Sequence, residues 1–342
     1  MINEEYYLKI KNNWDNLAKP LDSMGYFEDI LSKMGAVLLD ETIDISKAAL
    51  AVFISDNGII NEGVSQSTYE VTTSVARAIG RRKSSVCHMA ENAKVDVFPY
   101  NIGMVESEKI DGVDDSYFIA NGSKNFALEP ALSLVEVQTA IDSGKKIVGT
   151  LVAKGYKTVL LGEMGIGNTT TSSAVIASIL KLDPIYICGR GAGLSDEGLD
   201  KKINVIKNAI KKYDLYNAAP LTILSSVGGF DIAAMVGVIL GALEYKIPII
   251  LDGLITAAAA LVARELDKDT SGIVFFSHKG KEKGIELVAR EFDQIPIIDG
   301  NMALGEGTGA VMFYSCLKNA LSIYSGNTSF SDMEIDKYER FQ

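Results

Sequence analysis

Six short apolar runs punctuate this chain, and each ends in glycine or small polar residues. They are Ala49–Ile54 before Ser-Asp-Asn-Gly, Val95–Tyr100 before Asn-Ile-Gly, and Thr158–Leu161 before Gly-Glu-Met-Gly. Ile247–Leu251 before Asp-Gly, Ile273–Phe276 before Ser-His-Lys-Gly and Ile295–Ile298 before Asp-Gly-Asn complete the series. Runs of four to six apolar residues without alternation are the pattern of strands buried on both faces, which predicts a parallel sheet. Helix-period segments lie between them. One is Leu199–Ile210, with Leu199, Ile203, Ile206 and Ile210 on one face and Lys201, Lys202 and Asn208 off it; another is Phe230–Leu243, apolar nearly all round and so expected in the interior. The alternation predicts an α/β fold with a doubly wound, mainly parallel, Rossmann-like sheet.

The ends of the chain read differently. Tyr6, Tyr7, Ile10 and Trp14 fall at helical spacing, Lys19-Pro20 interrupts, and Phe27, Ile30, Leu31 and Met34 resume the pattern. A last helix is expected over about Ala310–Tyr324. The expected organisation is therefore residues 1–45 as N-terminal helices of a small helical subdomain, 46–309 as the α/β domain, and 310–342 as a helix and tail joining that subdomain.

Composition narrows the function. Lysine and arginine number 33 against 44 acidic residues, a net charge of −11, which disfavours general nucleic-acid binding and leaves room for a local basic pocket. Three separated cysteines, Cys87, Cys188 and Cys316, fit neither a disulfide framework nor a zinc site. The N-terminus lacks an apolar signal core, and the most apolar stretch, 232–263, is broken by Glu244, Lys246, Pro248 and Asp252. No membrane span is expected, and the expected location is the cytoplasm.

Ligands of open parallel sheets bind outside the carboxyl ends of the strands, where these glycine-rich turns fall. In 161–180, Gly162, Gly165 and Gly167 precede Asn168, Thr169, Thr170 and Thr171 and a helix expected from about Ser172, a pattern suited to anions although no P-loop lysine follows. In 188–207, Gly189, Gly191 and Gly193 suit a phosphate, with Lys201 and Lys202 as countercharge; lysines on such a helix also serve as mere solvated surface. A third such loop is Ser226–Asp231. In 304–310, Glu306 stands between Gly305 and Gly307 as a candidate general base or a surface turn glutamate, and Glu163 is a second candidate carboxylate. Of the two histidines, His88 is expected to be packed. No nucleophile elbow and no convincing dinucleotide fingerprint is present.

Six collinear motifs, Gly162–Thr170, Gly189–Ile203, Val227–Ala242, Leu251–Leu261, Ser277–Gly284 and Leu304–Ala310, resemble those of the nicotinate-nucleotide:5,6-dimethylbenzimidazole phosphoribosyltransferase family. Weaker echoes are Lys19-Pro20 with Ser23-Met24-Gly25, and the segments 61–72 and 122–133. The resemblance implies transfer of phosphoribose from nicotinate mononucleotide to an aromatic lower-ligand base of a cobamide, with inversion at C1, no metal and no cofactor. It implies Glu306 as general base, Glu163 as its assistant, and Gly165, Gly167, Asn168, Thr169, Gly191, Lys202 and Gly229 around the nucleotide. It places Ser67, Val75, Met164 and Leu304 at the base. It also implies a homodimer or, in a phenol-activating branch, a pair with a related subunit. The chain departs from the family pattern at Asn57, Asn101 and Val75, where family members usually carry His, Asp and Gln. An apolar residue in place of an amide removes hydrogen-bond readout of an imidazole nitrogen. The expected acceptor is 5,6-dimethylbenzimidazole or a related aromatic, with a phenolic base or a purine as the alternative. The alternatives are a catalytically weak nucleotide-binding subunit and a nucleotide oxidoreductase, the latter requiring a dinucleotide fingerprint that the sequence lacks.

Overall fold

All eight residues of β1 (Ala48–Ser55) are buried, and their side chains alternate between two cores. Ala49, Ala51 and Phe53 enter one apolar cluster, whereas Ala48, Leu50, Val52 and Ile54 enter the other. That alternation explains the unbroken apolar run: with helices on both faces, neither set of side chains meets water. The computed structural model describes residues 2–340 except 107 and 192.

Four strands join β1 in a parallel sheet: β2 (Val95–Gly103), β3 (Thr158–Met164), β4 (Ile249–Leu251) and β5 (Val274–Phe276), in the order β2-β1-β3-β4-β5. The chain reverses its winding direction after β2, so a crevice opens between the carboxyl ends of β1 and β3. The sixth expected strand is corrected by the structure. Residues Ile298–Met302 form β7, which pairs in parallel with β6 (His278–Gly280) outside the main sheet. Most of β7 is exposed, because only one neighbour flanks it and no helix layer covers both its faces.

The helices are α1 (Glu4–Asp15), α2 (Tyr26–Leu38), α3 (Tyr69–Gly80), α4 (Ser85–Ala93), α5 (Leu134–Ala153) and α6 (Asn168–Leu180). They continue with α7 (Asp196–Lys212), α8 (Pro220–Val227), α9 (Phe230–Tyr245), α10 (Leu254–Leu266), α11 (Gly284–Glu291) and α12 (Thr308–Gly326). Helices α5 to α11 supply the core that receives Phe53. Helices α1, α2, α3, α4 and α12 supply the core that receives Leu50. As its composition predicts, α9 is buried along nearly its whole length. The chain ends meet: the Trp14 and Tyr324 rings lie 4.8 Å apart, and the Arg340 guanidinium pairs with Asp15 and Asp22 at 2.8 Å each. Among the described residues no helix is long and apolar enough to cross a membrane.

Two local expectations need revision. Helix α6 starts at Asn168 rather than near Ser172, because Gly167 takes a left-handed φ of +95° and ends the preceding turn there. The threonines therefore form the first helical turn. His88 is exposed on the outer face of α4, since Val86, Cys87 and Ala90 take the inward positions.

Candidate active site

A cavity of about 220 Å³ opens at the carboxyl ends of β3 and β4. Of the residues singled out in the sequence, Glu163, Met164, Gly165, Asn168, Thr169, Gly191 and Leu304 line it. Gly167 lines a smaller adjoining cavity of about 70 Å³, walled by the same turn and by Gln66 and Arg190. Gly229 lies behind the wall as the N-cap of α9, against the Asn57 and Asp231 side chains. Ser67 sits in the loop before α3, its N–H donating to Ser65 Oγ at 3.1 Å, and is not among the cavity's lining residues. Val75 packs on the apolar cluster that also takes Met89 and Met164. Ala192, in the loop 189–193, lies outside the described residues.

The first wall combines one buried cation with a carboxylate. The Gly191 N–H donates to Glu282 Oε1 at 2.9 Å. Lys202 is fully buried, correcting its placement off the packed face of α7. Its ammonium donates to Thr169 Oγ1 at 3.2 Å and to the Gly189 carbonyl at 3.1 Å, which accounts for the burial of a cation there. Burial pushes the Lys202 pKa down, opposed by the charge of Glu282.

The opposite wall is acidic. Glu163, at the end of β3, is pushed up to about 8 by burial and then by the Asp231 and Asp252 charges. The Asn168 amide group donates to Glu163 Oε2 and, at 3.3 Å, to Asp231 Oδ2, so it is engaged by two carboxyl groups. Burial pushes Asp231 up to about 6. Glu306 lies between β7 and α12 on a turn with left-handed φ at three successive residues, Gly305, Glu306 and Gly307. The turn rests on β3 at Gly162, where a Cβ would come within 2.5 Å of the Glu306 carbonyl oxygen. Across the same turn, a Cβ on Gly305 would stand 3.0 Å from Glu163 Oε1. The Glu306 carboxylate is half-buried, faces the N-terminus of α4 and accepts from the Val86 N–H at 3.4 Å. Burial raises its pKa, against the donors of Val86 and Ser84.

Sequence reasoning passed over four groups. Asp252 and His278 are buried side by side in the site, Asp231 bridges to Glu163 through Asn168, and Glu282 reaches across to Gly191. Two of them carried a usable signal: an acidic residue directly after the apolar run 247–251, and a histidine just past the run 273–276. Two departures from the family pattern have structural work. Asn57 donates to the Ile166 carbonyl at 3.4 Å, and Asn101 joins Asp115 and the Met104 N–H at the end of β2.

The phosphoribosyltransferase family model matches residues 1–335. The chain belongs to that family. It is 35% identical over 335 residues to the nicotinate-nucleotide–dimethylbenzimidazole phosphoribosyltransferase of Clostridium perfringens, covering 98% of this chain and 92% of that one. Against the protein of the same name from Ruminiclostridium cellulolyticum identity is 34% over 338 residues, covering 99% and 96%. Among solved structures, CobT from Thermus thermophilus superimposes with a TM-score of 0.92 at 29% identity, covering 98% of this chain and all of that one. This family member is thus a pentosyltransferase by its kinship and an α/β protein with the layered parallel sheet described above.

Proposed function

We propose that this phosphoribosyltransferase moves phosphoribose from nicotinate mononucleotide to an aromatic base destined to be a cobamide lower ligand. The observation that carries the reading is the pairing of opposites in one crevice. A glycine and lysine wall suits the phosphate, while Glu163 lines the crevice. The Glu306 carboxylate, not itself among the cavity's lining residues, faces the N-terminus of α4, near enough to add its charge to the burial that raises the Glu163 pKa. In this reading the acceptor atom attacks C1 of the ribose on the face opposite nicotinate. The C1–N bond breaks, its electron pair returns to the pyridine nitrogen, and the acceptor's proton passes to Glu306. Nicotinate leaves from a cationic pyridinium, so the site must chiefly position the partners and stabilise positive charge on the sugar. A carboxylate suits that task where it stays ionised, as Asp231, raised by burial only to about 6, does at neutral pH. Glu163, at about 8, holds its proton at neutral pH and serves as a hydrogen-bond donor. The cradle of Thr169, Gly191 and Lys202 receives the phosphate. The decisive test is Glu306→Gln, assayed for nicotinate release. Loss of a general base should lower kcat about 10²–10⁴-fold with nicotinate mononucleotide still bound. Near-normal turnover would remove Glu306 from the role.

A second reading concerns the acceptor. Val75 packs against the same apolar cluster as Met89 and Met164, and it stands where the family pattern carries an amide that reads an imidazole nitrogen. We therefore favour a phenolic or purine acceptor over 5,6-dimethylbenzimidazole. A competition assay with equal amounts of phenol, adenine and dimethylbenzimidazole decides it, and exclusive use of the last sinks the idea. Light scattering of the purified chain distinguishes the expected homodimer from a subunit that needs a related partner.

A further inference from the structure

Asp252 follows β4 and is 5% exposed, yet both its carboxylate oxygens are occupied by backbone groups from far along the chain. Oδ1 accepts from the Gly309 N–H at 2.7 Å and the Ala310 N–H at 3.2 Å, and Oδ2 accepts from the Gly307 N–H at 3.1 Å. These are amides of the N-terminus of α12, which lack partners within the helix. A side chain at the N-cap normally meets this need, but the N-cap here is Gly307, which has none. Asp252 caps the helix from another strand.

The residue preceding that cap is Glu306. We infer that Asp252 is a positioning residue for Glu306, fixing the turn that carries it against the end of the sheet. The inference rests on the base role given to Glu306 above. A φ of +61° is unfavourable for a residue with a Cβ, so a turn holding Glu306 there needs an external restraint. Gly162 provides a floor beneath the Glu306 carbonyl, and Asp252 pulls from the following residues. The anchor is itself held, because Ser277 Oγ donates to the Asp252 carbonyl at 3.1 Å. Gly309 leaves room for the arrangement, since a Cβ there would run into the His278 ring and stand 2.8 Å from Asp252 Oδ1. With both oxygens taken by three N–H groups, Asp252 is better occupied as a brace than as a ligand for ribose hydroxyls.

A double-mutant cycle tests this on the full-length protein, with nicotinate mononucleotide and whichever acceptor it uses best. In Asp252→Asn the amide sets a donor against the helix N–H groups, and the turn should shift. A displacement of about 1 Å costs on the order of 10²-fold, so kcat should fall about 10–100-fold. KM for nicotinate mononucleotide should stay within about threefold of its starting value, because the phosphate cradle is untouched. The distinguishing readout is the Glu306→Gln background. There, Asp252→Asn should add less than about a twofold loss, since the group it positions has gone. The same fold-loss repeated in that background, or a rise in KM with kcat held, overturns the inference and leaves Asp252 as scaffold or substrate ligand. Should Asp252→Asn fail to fold by circular dichroism, Gly309→Ala enters the same cycle, pressing a methyl group on Asp252 and His278, with the same expected non-additivity. If Glu306→Gln alone keeps full activity, the base assignment has failed, and the role inferred for Asp252 fails with it.

Discussion

The two walls of the crevice solve opposite electrostatic problems with the same sheet edge. On the wall formed by α6, α7 and the 189–191 turn, one buried ammonium is held by a hydroxyl and a carbonyl. On the facing wall, Glu163, Asp231 and Asp252 are buried with no buried lysine or arginine among the described residues beside them except Lys202 across the crevice. Desolvation disfavours charge on both walls, lowering Lys202 and raising the carboxyl groups. A ligand that is anionic at one end and positively charged at the reacting carbon relieves both at once. On the reading proposed above, the carboxylates of that wall that stay ionised would face the positive charge developing on the sugar.

The largest expected effect falls on the acidic wall, at Glu306, through the loss in kcat described above. The next breaks the basic wall. Replacing Lys202 by Met keeps the buried volume but removes a charge-assisted donor contributing about 1.5–3 kcal/mol. KM for nicotinate mononucleotide should rise about 10–100-fold, while use of the phosphate-free nicotinate riboside should be unchanged. Equal losses with both donors would show that Lys202 serves the fold rather than the phosphate.

A third test sharpens the contrast through stability. Glu163 is raised from 4.5 to about 8 in the folded protein, so folding favours its protonated form. That contribution is fully present below pH 4.5 and is lost as the pH rises through 8. Chemical denaturation across pH 5–9 should show Glu163→Gln losing less stability with rising pH than the unaltered chain. Parallel curves would mean that Glu163 is not held protonated. The smallest effect is expected at Val75→Gln, which should shift acceptor preference toward dimethylbenzimidazole by about tenfold or less, read in the same competition assay.

Much of the layout was legible in the residues. The runs at 49–54, 95–100 and 158–161 are strands because helices cover both faces, and each feeds a turn at the crevice. The run at 295–298 misled, since an apolar stretch does not say which sheet it joins. Lys202 misled in the other direction. Helical spacing put it beside the packed face, and only the Gly189 carbonyl and Thr169 hydroxyl make its burial tolerable.

Local chemistry thus specified the strands, the glycine turns and the presence of Glu163 and Glu306 at their ends, because apolar runs and turn residues act over a few neighbouring positions. Which carboxyl keeps its proton, which lysine loses its water, and what holds the Glu306 turn are settled by chain crossings. Asp252 meets amides 55 to 58 residues away, and Asn168 joins Asp231 across 63. Desolvation and hydrogen-bond partners belong to the assembled interior, where distant segments exclude water together.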